Sequence, residues 1–245
     1  MNKVGIIGAG LIGATLARKL AELGYEVKIA NSKAPSTLEN FSNTRITPAW
    51  AADAVHGVDV AILSIPQGSI ASLSEKVRKY LREVPIVIDT GNYYPRRDGR
   101  IKEIDEGLTD SEWVAKQLGR SVVKAFNNIA AQSLQSKGST AGTAGRVSLS
   151  VAGPAGSGKE RVMSLIDELG FEPTDAGELD DSWRQQPGTP AYCADLSVQE
   201  LNEQIASATI GDIPQFQSRR DATDTVAGSA RQRRIMTSDP LPDFL

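Results

Sequence analysis

Apolar and polar positions along this chain follow two periods. Apolar runs at residues 3–7, 26–30, 58–65, 85–89 and 121–126 read as buried strands, with a weaker one at 44–47. Between them lie helical patterns. Residues 11–23 set Leu16, Leu20 and Leu23 on one face and stop at Gly24, a residue suited to the left-handed position that ends helices. Further helices are expected at 36–41 after Pro35, around 51–55, and at 70–81, 111–118 and 130–136. Strand and helix in alternation predict an α/β fold with a doubly wound, mostly parallel sheet. Residues 90–120 make an unusually long excursion after a strand, a place where function concentrates.

A run rich in Gly, Ser, Thr and Ala at 138–145 precedes a second, small βαβ unit with strand 147–152, helix 159–169 and strand 171–175. A polar, loop-like stretch at 183–190 and a helix at 197–208 follow, and from Gly211 on periodicity fades into a loosely ordered or partner-bound tail. The organisation expected is a main domain over 1–137, an extension over 146–210 packed on the same domain, and a tail over 211–245, without internal repeats.

Composition narrows the chemistry. The net charge of −3 gives no basic excess to attract nucleic acid or an anionic membrane. Cys193 and His56 are the only residues of their types, which excludes an internal disulfide and any Cys- or His-cluster metal site. His56, before Gly57, reads as a turn residue. No apolar run approaches the ~20 residues that span a bilayer. Residues 3–7 begin like an export signal, but Gly8, Gly10 and Gly13 interrupt the run before Arg18 and Lys19, so a cytoplasmic protein is expected.

The strongest signal is Gly8-Ala9-Gly10-Leu11-Ile12-Gly13, directly after a predicted strand and opening a helix. In that context G-x-G-x-x-G is the dinucleotide fingerprint of a Rossmann-type fold. The first glycine makes the turn, the second lets the backbone approach a pyrophosphate, and the third lets the helix pack on the strand. Free amides at the helix start then hold the phosphates. The end of the second strand selects the cofactor. NAD sites usually place a carboxylate there, whereas this chain has Ala30-Asn31-Ser32-Lys33, two neutral polar residues and a cation, which favours the 2′-phosphate of NADP(H). Ser64-Ile65-Pro66 ends the fourth strand, where ligands of this fold gather.

A second glycine-rich turn, Gly153-Pro154-Ala155-Gly156-Ser157-Gly158-Lys159-Glu160, imitates a P-loop. It carries Glu160 where a P-loop needs the Ser or Thr hydroxyl that binds Mg²⁺, so a nucleotide-hydrolysing role is not expected.

With these pieces placed, the chain resembles the NADPH-dependent oxidoreductases of the deazaflavin coenzyme F420, a domain type that also forms the cytosolic half of membrane ferric reductases. The likeness is carried by the glycine turn with Asn31-Ser32, by Ser64-Ile65-Pro66, by Val122-Val123-Lys124-Ala125-Phe126-Asn127-Asn128, by Val151-Ala152-Gly153, and by Gly170-Phe171-Glu172-Pro173-Thr174-Asp175-Ala176-Gly177 with Glu178-Leu179. It implies that Ala125 and Phe126 border the cofactor, and that Asn127, Asn128, Ile129, Thr189 and Pro190 lie near a second substrate, a deazaflavin or flavin acting as small-molecule electron acceptor. It also implies a homodimer. The 91–100 loop and the run Trp183-Arg184-Gln185-Gln186-Pro187-Gly188 depart from the family pattern and are expected to reshape the acceptor pocket. There Tyr93, Tyr94 and Trp183 offer flat surfaces for a ring, and Arg96 or Arg97 a grip on an anionic tail.

Hydride transfer between a nicotinamide and a flavin-like ring needs orientation and a dry cleft, not a nucleophile, a metal or a histidine. Two other readings stay open. One is a non-enzymatic NADP sensor. The other is a reductase of a small carbonyl or imine, which wants a general acid that Tyr93, Tyr94 or Lys124 would supply. The cofactor assignment is directly testable: Lys33→Glu is expected to weaken NADPH binding by about tenfold or more, ~1.4 kcal/mol, and NADH binding far less. Equal effects in calorimetric titrations would remove it.

Overall fold

The structure is a computed structural model, described here for residues 2–42 and 45–213. Strands β1 (Lys3–Ile7), β2 (Glu26–Ala30), β3 (Ile46–Pro48), β4 (Val60–Leu63), β5 (Ile86–Asp89) and β6 (Val123–Lys124) form one sheet in the order β3-β2-β1-β4-β5-β6, with every neighbouring pair parallel. The order reverses between β1 and β4, so the carboxyl ends of these two strands flank the crevice in which such sheets bind ligands. Strands β7 (Ser148–Val151) and β8 (Glu172–Asp175) pair in parallel as the second unit. That unit joins the outer edge of β6 antiparallel: Lys124 and Ala152 exchange both backbone hydrogen bonds, at 2.8 and 3.0 Å.

The helices cover both faces. Helices α1 (Leu11–Glu22), α2 (Ala51–Val55), α3 (Gln67–Ile70), α4 (Glu75–Glu83), α5 (Pro95–Asp98), α6 (Lys102–Asp105), α7 (Asp110–Leu118), α8 (Ala131–Ser136), α9 (Ser157–Glu168) and α10 (Val198–Ser207) follow in chain order. One core lies under α1, α8 and α9. It runs without a break from Val4, Leu16 and Ile29 to Val147, Val162 and Phe171, so the second unit shares the core of the main domain. The other core, with Val55, Leu63, Leu81, Trp113 and Leu118, lies under α2, α4 and α7. Burying each such large aliphatic side chain contributes about 1.5–3 kcal/mol. Among the described residues no helix is long and apolar enough to cross a membrane.

Several boundaries differ from the periodicity. The helix expected at 70–81 is two, because the Ser74 hydroxyl accepts the amide of Val77 and starts α4 afresh. The fourth strand stops at Leu63, and the sixth is only Val123–Lys124, because Phe126 adopts φ 61° and turns the chain out of the sheet. The third strand begins at Ile46, and Thr44 lies outside the described residues. The 90–120 excursion is folded into α5, α6 and α7, and Asp180–Gln185 forms a 3-10 helix where a loop is expected. The tail beyond residue 213 lies outside the described residues.

β5 and β6 are locked by charge. The fully buried Lys124 ammonium donates to the Gly91 carbonyl and to Ser111 Oγ, both at 3.0 Å, and lies 3.9 Å from Asp89 Oδ2, which accepts Ser111 Oγ at 2.6 Å. Removing one partner of a buried pair strands the other, so Lys124→Met is expected to cost about 3–5 kcal/mol in urea unfolding. A loss below ~1 kcal/mol would show that the pair is not held as described.

Candidate active site

The glycine turn is built by contact between backbones. Gly8 has φ 114°, donates its amide to the Ala30 carbonyl at 2.8 Å, and a Cβ there would sit 2.0 Å from the Ser64 carbonyl oxygen. A Cβ on Gly13 would lie 2.0 Å from the Gly8 carbonyl oxygen. Gly10 is the opposite case: nothing lies within 4 Å of the place its Cβ would take. It is the N-cap of α1 and offers no side-chain cap, the first turn carries no acid, and Leu11 is 80% exposed. The first amides of α1, which have no intrahelical acceptors, therefore border open space, which fits a pyrophosphate. Ala9 and Ile12 pack on the core beneath. Ser64 donates its amide to Ile7 at 2.8 Å, Ile65 packs against the second core, and Pro66 stands exposed before α3.

At the end of β2, Asn31 is occupied with its own loop. Its Oδ1 accepts the Lys33 amide at 2.8 Å, and its Nδ2 donates to Thr37 Oγ1 at 3.0 Å. Ser32 and Lys33 are exposed beside it, while Asn31 sets the loop's shape. Trp50, 57% exposed, stands beside this strand end, where Ala49 donates its amide to the Ile29 carbonyl. It gives the rim a flat apolar surface that the periodicity left unmarked, since a lone Trp between strand and helix carries no pattern.

The far end of the crevice lies over β5 and β6. Asn127 is 3% exposed and knots three stretches of chain. Its Nδ2 donates to Asn92 Oδ1 at 3.0 Å and to the Gln185 carbonyl at 2.7 Å; its Oδ1 accepts Gln185 Nε2 at 2.8 Å, and its carbonyl accepts Asn92 Nδ2 at 3.0 Å. The segments after β5, after β6 and around 185–193 thus meet at one residue. Asn128 is 4% exposed, and its carbonyl accepts the Cys193 amide at 2.9 Å. Ala125, Phe126 and Ile129 are buried in the first core, and Thr189 Oγ1 donates to the Gln186 carbonyl at 2.9 Å, with Pro190 exposed next to it.

The aromatic residues divide. The Tyr93 ring is buried, and its hydroxyl accepts the Ile101 amide at 2.9 Å and donates to Asp105 at 3.3 Å. Tyr93 and Trp183 line a separate cavity of about 650 Å³ with Ile104, Leu108 and Asp110, which contains no residue of the glycine turn. Burial pushes the Asp110 carboxyl above the usual carboxylate range. Tyr94 points elsewhere: its hydroxyl lies 2.7 Å from that of Tyr192, and the Arg97 guanidinium sits 4.9 Å from its ring centre. Arg97 is held by Asp98 and by the Asn92 carbonyl, so it braces the loop and is not a ready grip for an anionic tail. Arg96 is exposed. Tyr192 belongs to the 189–192 stretch expected near the acceptor, but its pairing with Tyr94, 98 positions away, comes only from the fold.

The P-loop imitation is explained as well. Lys159 is 5% exposed, donates to the Gly177 carbonyl at 2.7 Å and pairs with Asp175, while Glu178 accepts the Ala155 amide at 3.3 Å. Its charge clamps the turn after β8 instead of facing phosphate. Among the described residues no group of three or more His, Cys, Asp or Glu is placed to hold a metal.

Comparison with known proteins agrees with this geometry. Residues 3–93 match the family described as NADP oxidoreductase, coenzyme F420-dependent. The Escherichia coli K12 protein YjhV is 43% identical over 54 residues, 22% of this chain and 39% of its own. The chain spans less than half the length of the curated relatives it matches. Among solved structures, a hypothetical protein of Sinorhizobium meliloti, SMa0349, is 30% identical with a TM-score of 0.66, covering 80% of this chain and 95% of that one. An inferred F420-dependent NADP reductase from Arthrobacter sp. FB24 shares the fold at 24% identity and a TM-score of 0.62, covering 74% and 87%. With the glycine turn, the switch in strand order and the second βαβ unit all in place, the chain belongs to the coenzyme F420-dependent NADP oxidoreductase family.

Proposed function

We propose that this protein is an NADP(H)-dependent oxidoreductase that passes hydride between NADPH and a flavin- or deazaflavin-like acceptor. The observation that carries the reading is the open cradle at Gly10 beside a β2 end without a carboxylate. Gly8, Gly10 and the first turn of α1 would hold the pyrophosphate, and Ser32 and Lys33 the 2′-phosphate. NADPH, when bound, supplies the hydride. The chain's own work is to orient the partners and exclude water. Asn127 does so by tying the walls after β5 and β6 to the 185–193 segment, so that the acceptor side keeps one shape. The family match supports the ring-type acceptor.

The test is NADPH oxidation by the full chain with flavins, deazaflavins and quinones. Turnover with at least one supports the reading; NADPH binding without turnover across the panel favours a sensor. Asn127→Leu is expected to lower turnover by about 10²-fold with NADPH affinity unchanged, because misplacing the walls by ~1 Å is enough for such a loss. Unaltered turnover in that variant would mean the knot does not shape the acceptor site.

A further inference from the structure

The three tryptophans of the chain are used differently. Trp113 is 4% exposed and packs in the second core. Trp183 lies in the wall of the separate cavity, with the Arg184 guanidinium 4.5 Å from its ring centre. Trp50 stays open: it is 57% exposed, and among the described residues it carries no side-chain hydrogen bond, ring contact or cation.

A single exposed apolar residue is ordinary on a protein surface. This one also stands where its side chain suits the fold least. Trp50 is the N-cap of α2; its carbonyl accepts the Ala54 amide at 2.8 Å, and its side chain caps nothing. Ser, Thr, Asp or Asn at that position would accept one of the free first-turn amides, which an indole cannot do. The residue neither fills a core nor caps its helix. A position that breaks local rules without return to the fold is where function is expected.

The strand register shows what lies beside it. Gly8 donates to the Ala30 carbonyl at 2.8 Å and Ala49 to the Ile29 carbonyl at 2.9 Å, and Pro48 pairs with Ile29, so the carboxyl ends of β1, β2 and β3 are level. Neighbouring strands are ~4.8 Å apart. In this fold the pyrophosphate belongs to the turn after β1 and the adenosine ribose to the end of β2. The base carried by that ribose then reaches one strand further, to the end of β3. There Ala49, Ala51 and Ala52 are small, and Trp50 is the one large side chain of the 49–52 stretch.

Resting on the NADP(H) reading, we propose that Trp50 is the platform on which the adenine of the dinucleotide stacks. Indole and purine are both flat and apolar on their faces, and stacking on an aromatic side chain raises affinity by about tenfold or more per base. The platform's backbone is fixed on both sides, by Ala49 on β2 and by the first turn of α2. The cofactor would thus be gripped at three successive strand ends: pyrophosphate after β1, 2′-phosphate after β2 and base after β3. The adenosine half then binds without help from the nicotinamide.

The test uses the full chain, its Trp50→Ser and Trp50→Phe variants, and two probes. One probe is NADPH; the other is adenosine 2′,5′-bisphosphate, which keeps the base and the 2′-phosphate and lacks the nicotinamide. Thermal melts, calorimetric titrations and indole fluorescence are measured for each protein. The wild type is expected to bind both probes, with the bisphosphate quenching its indole emission. Trp50→Ser puts a good cap on α2, so it should melt no lower than the wild type while binding both probes about tenfold or more weakly. Trp50→Phe keeps a flat ring, so both affinities should stay within about threefold while the quench disappears. Wild-type affinity for both probes in folded Trp50→Ser, or an undiminished quench in Trp50→Phe, overturns the platform and leaves the NADP(H) reading standing. Wild type that binds neither probe overturns both.

Discussion

The approach of three backbones at the carboxyl end of β1 is the constraint on which the site depends. The turn at Gly8 touches the Ser64 carbonyl after β4, and α1 at Gly13 touches the carbonyl of Gly8, each at a distance that leaves no room for a Cβ. Because β1 sits between β2 and β4, this contact fixes how near α1 comes to the point where strand order reverses. Only with α1 so close do its unpaired first-turn amides face the crevice, and only there is Gly10 left open. Two glycines serve the fold so that the third can serve a ligand.

At the other end of the crevice the walls are set by polar interactions under the sheet's end. Lys124, Asp89 and Ser111 hold the loop after β5 from below, and the Asn92–Asn127–Gln185 knot holds it from the side. Phe126 pays for this with a left-handed backbone, which for such a residue costs on the order of 1–3 kcal/mol and persists only where the surroundings over-determine it. Its ring is fully buried in the core that joins the two units, which supplies that determination. The 91–98 loop, cross-braced by Asp98, Arg97 and Asp110, is a wall rather than a lid.

What was legible in the sequence follows from what periodicity can carry. Strands β1, β2 and β5, helix α1 and the second βαβ unit show as apolar runs with glycine punctuation, and the glycine turn reveals its role because each glycine meets a different steric demand. The break at Ser74 was hidden because the apolar spacing continues across it. The brevity of β6 was hidden because an apolar run does not show where the backbone turns away. The acceptor side was legible as a set of segments but not as contacts. Asn127 looked like a ligand-facing carboxamide and is sealed into a knot; Tyr93 and Tyr94 are adjacent yet have different partners; the pairing of Tyr94 with Tyr192 enters only through the tertiary fold. Arg97 read as a cation awaiting an anion and is spent on Asp98 and the Asn92 carbonyl; Lys159, in the turn already set aside as a P-loop, is spent on Asp175 and the Gly177 carbonyl.

On the proposed function, the space over Gly10 serves a dinucleotide and not the fold. Calorimetric titration of NADPH into the wild type and into Gly10→Val, with a thermal melt of each, tests it most directly. The backbone at Gly10, φ −73° and ψ −175°, is extended and a Cβ there has no protein atom within 4 Å, so the variant should fold and melt within a few degrees of the wild type, the cost of a poorer N-cap. The variant is expected to lose NADPH affinity by about 10²-fold or more, because the valine fills the pyrophosphate's approach. Wild-type affinity in a folded Gly10→Val protein would contradict it.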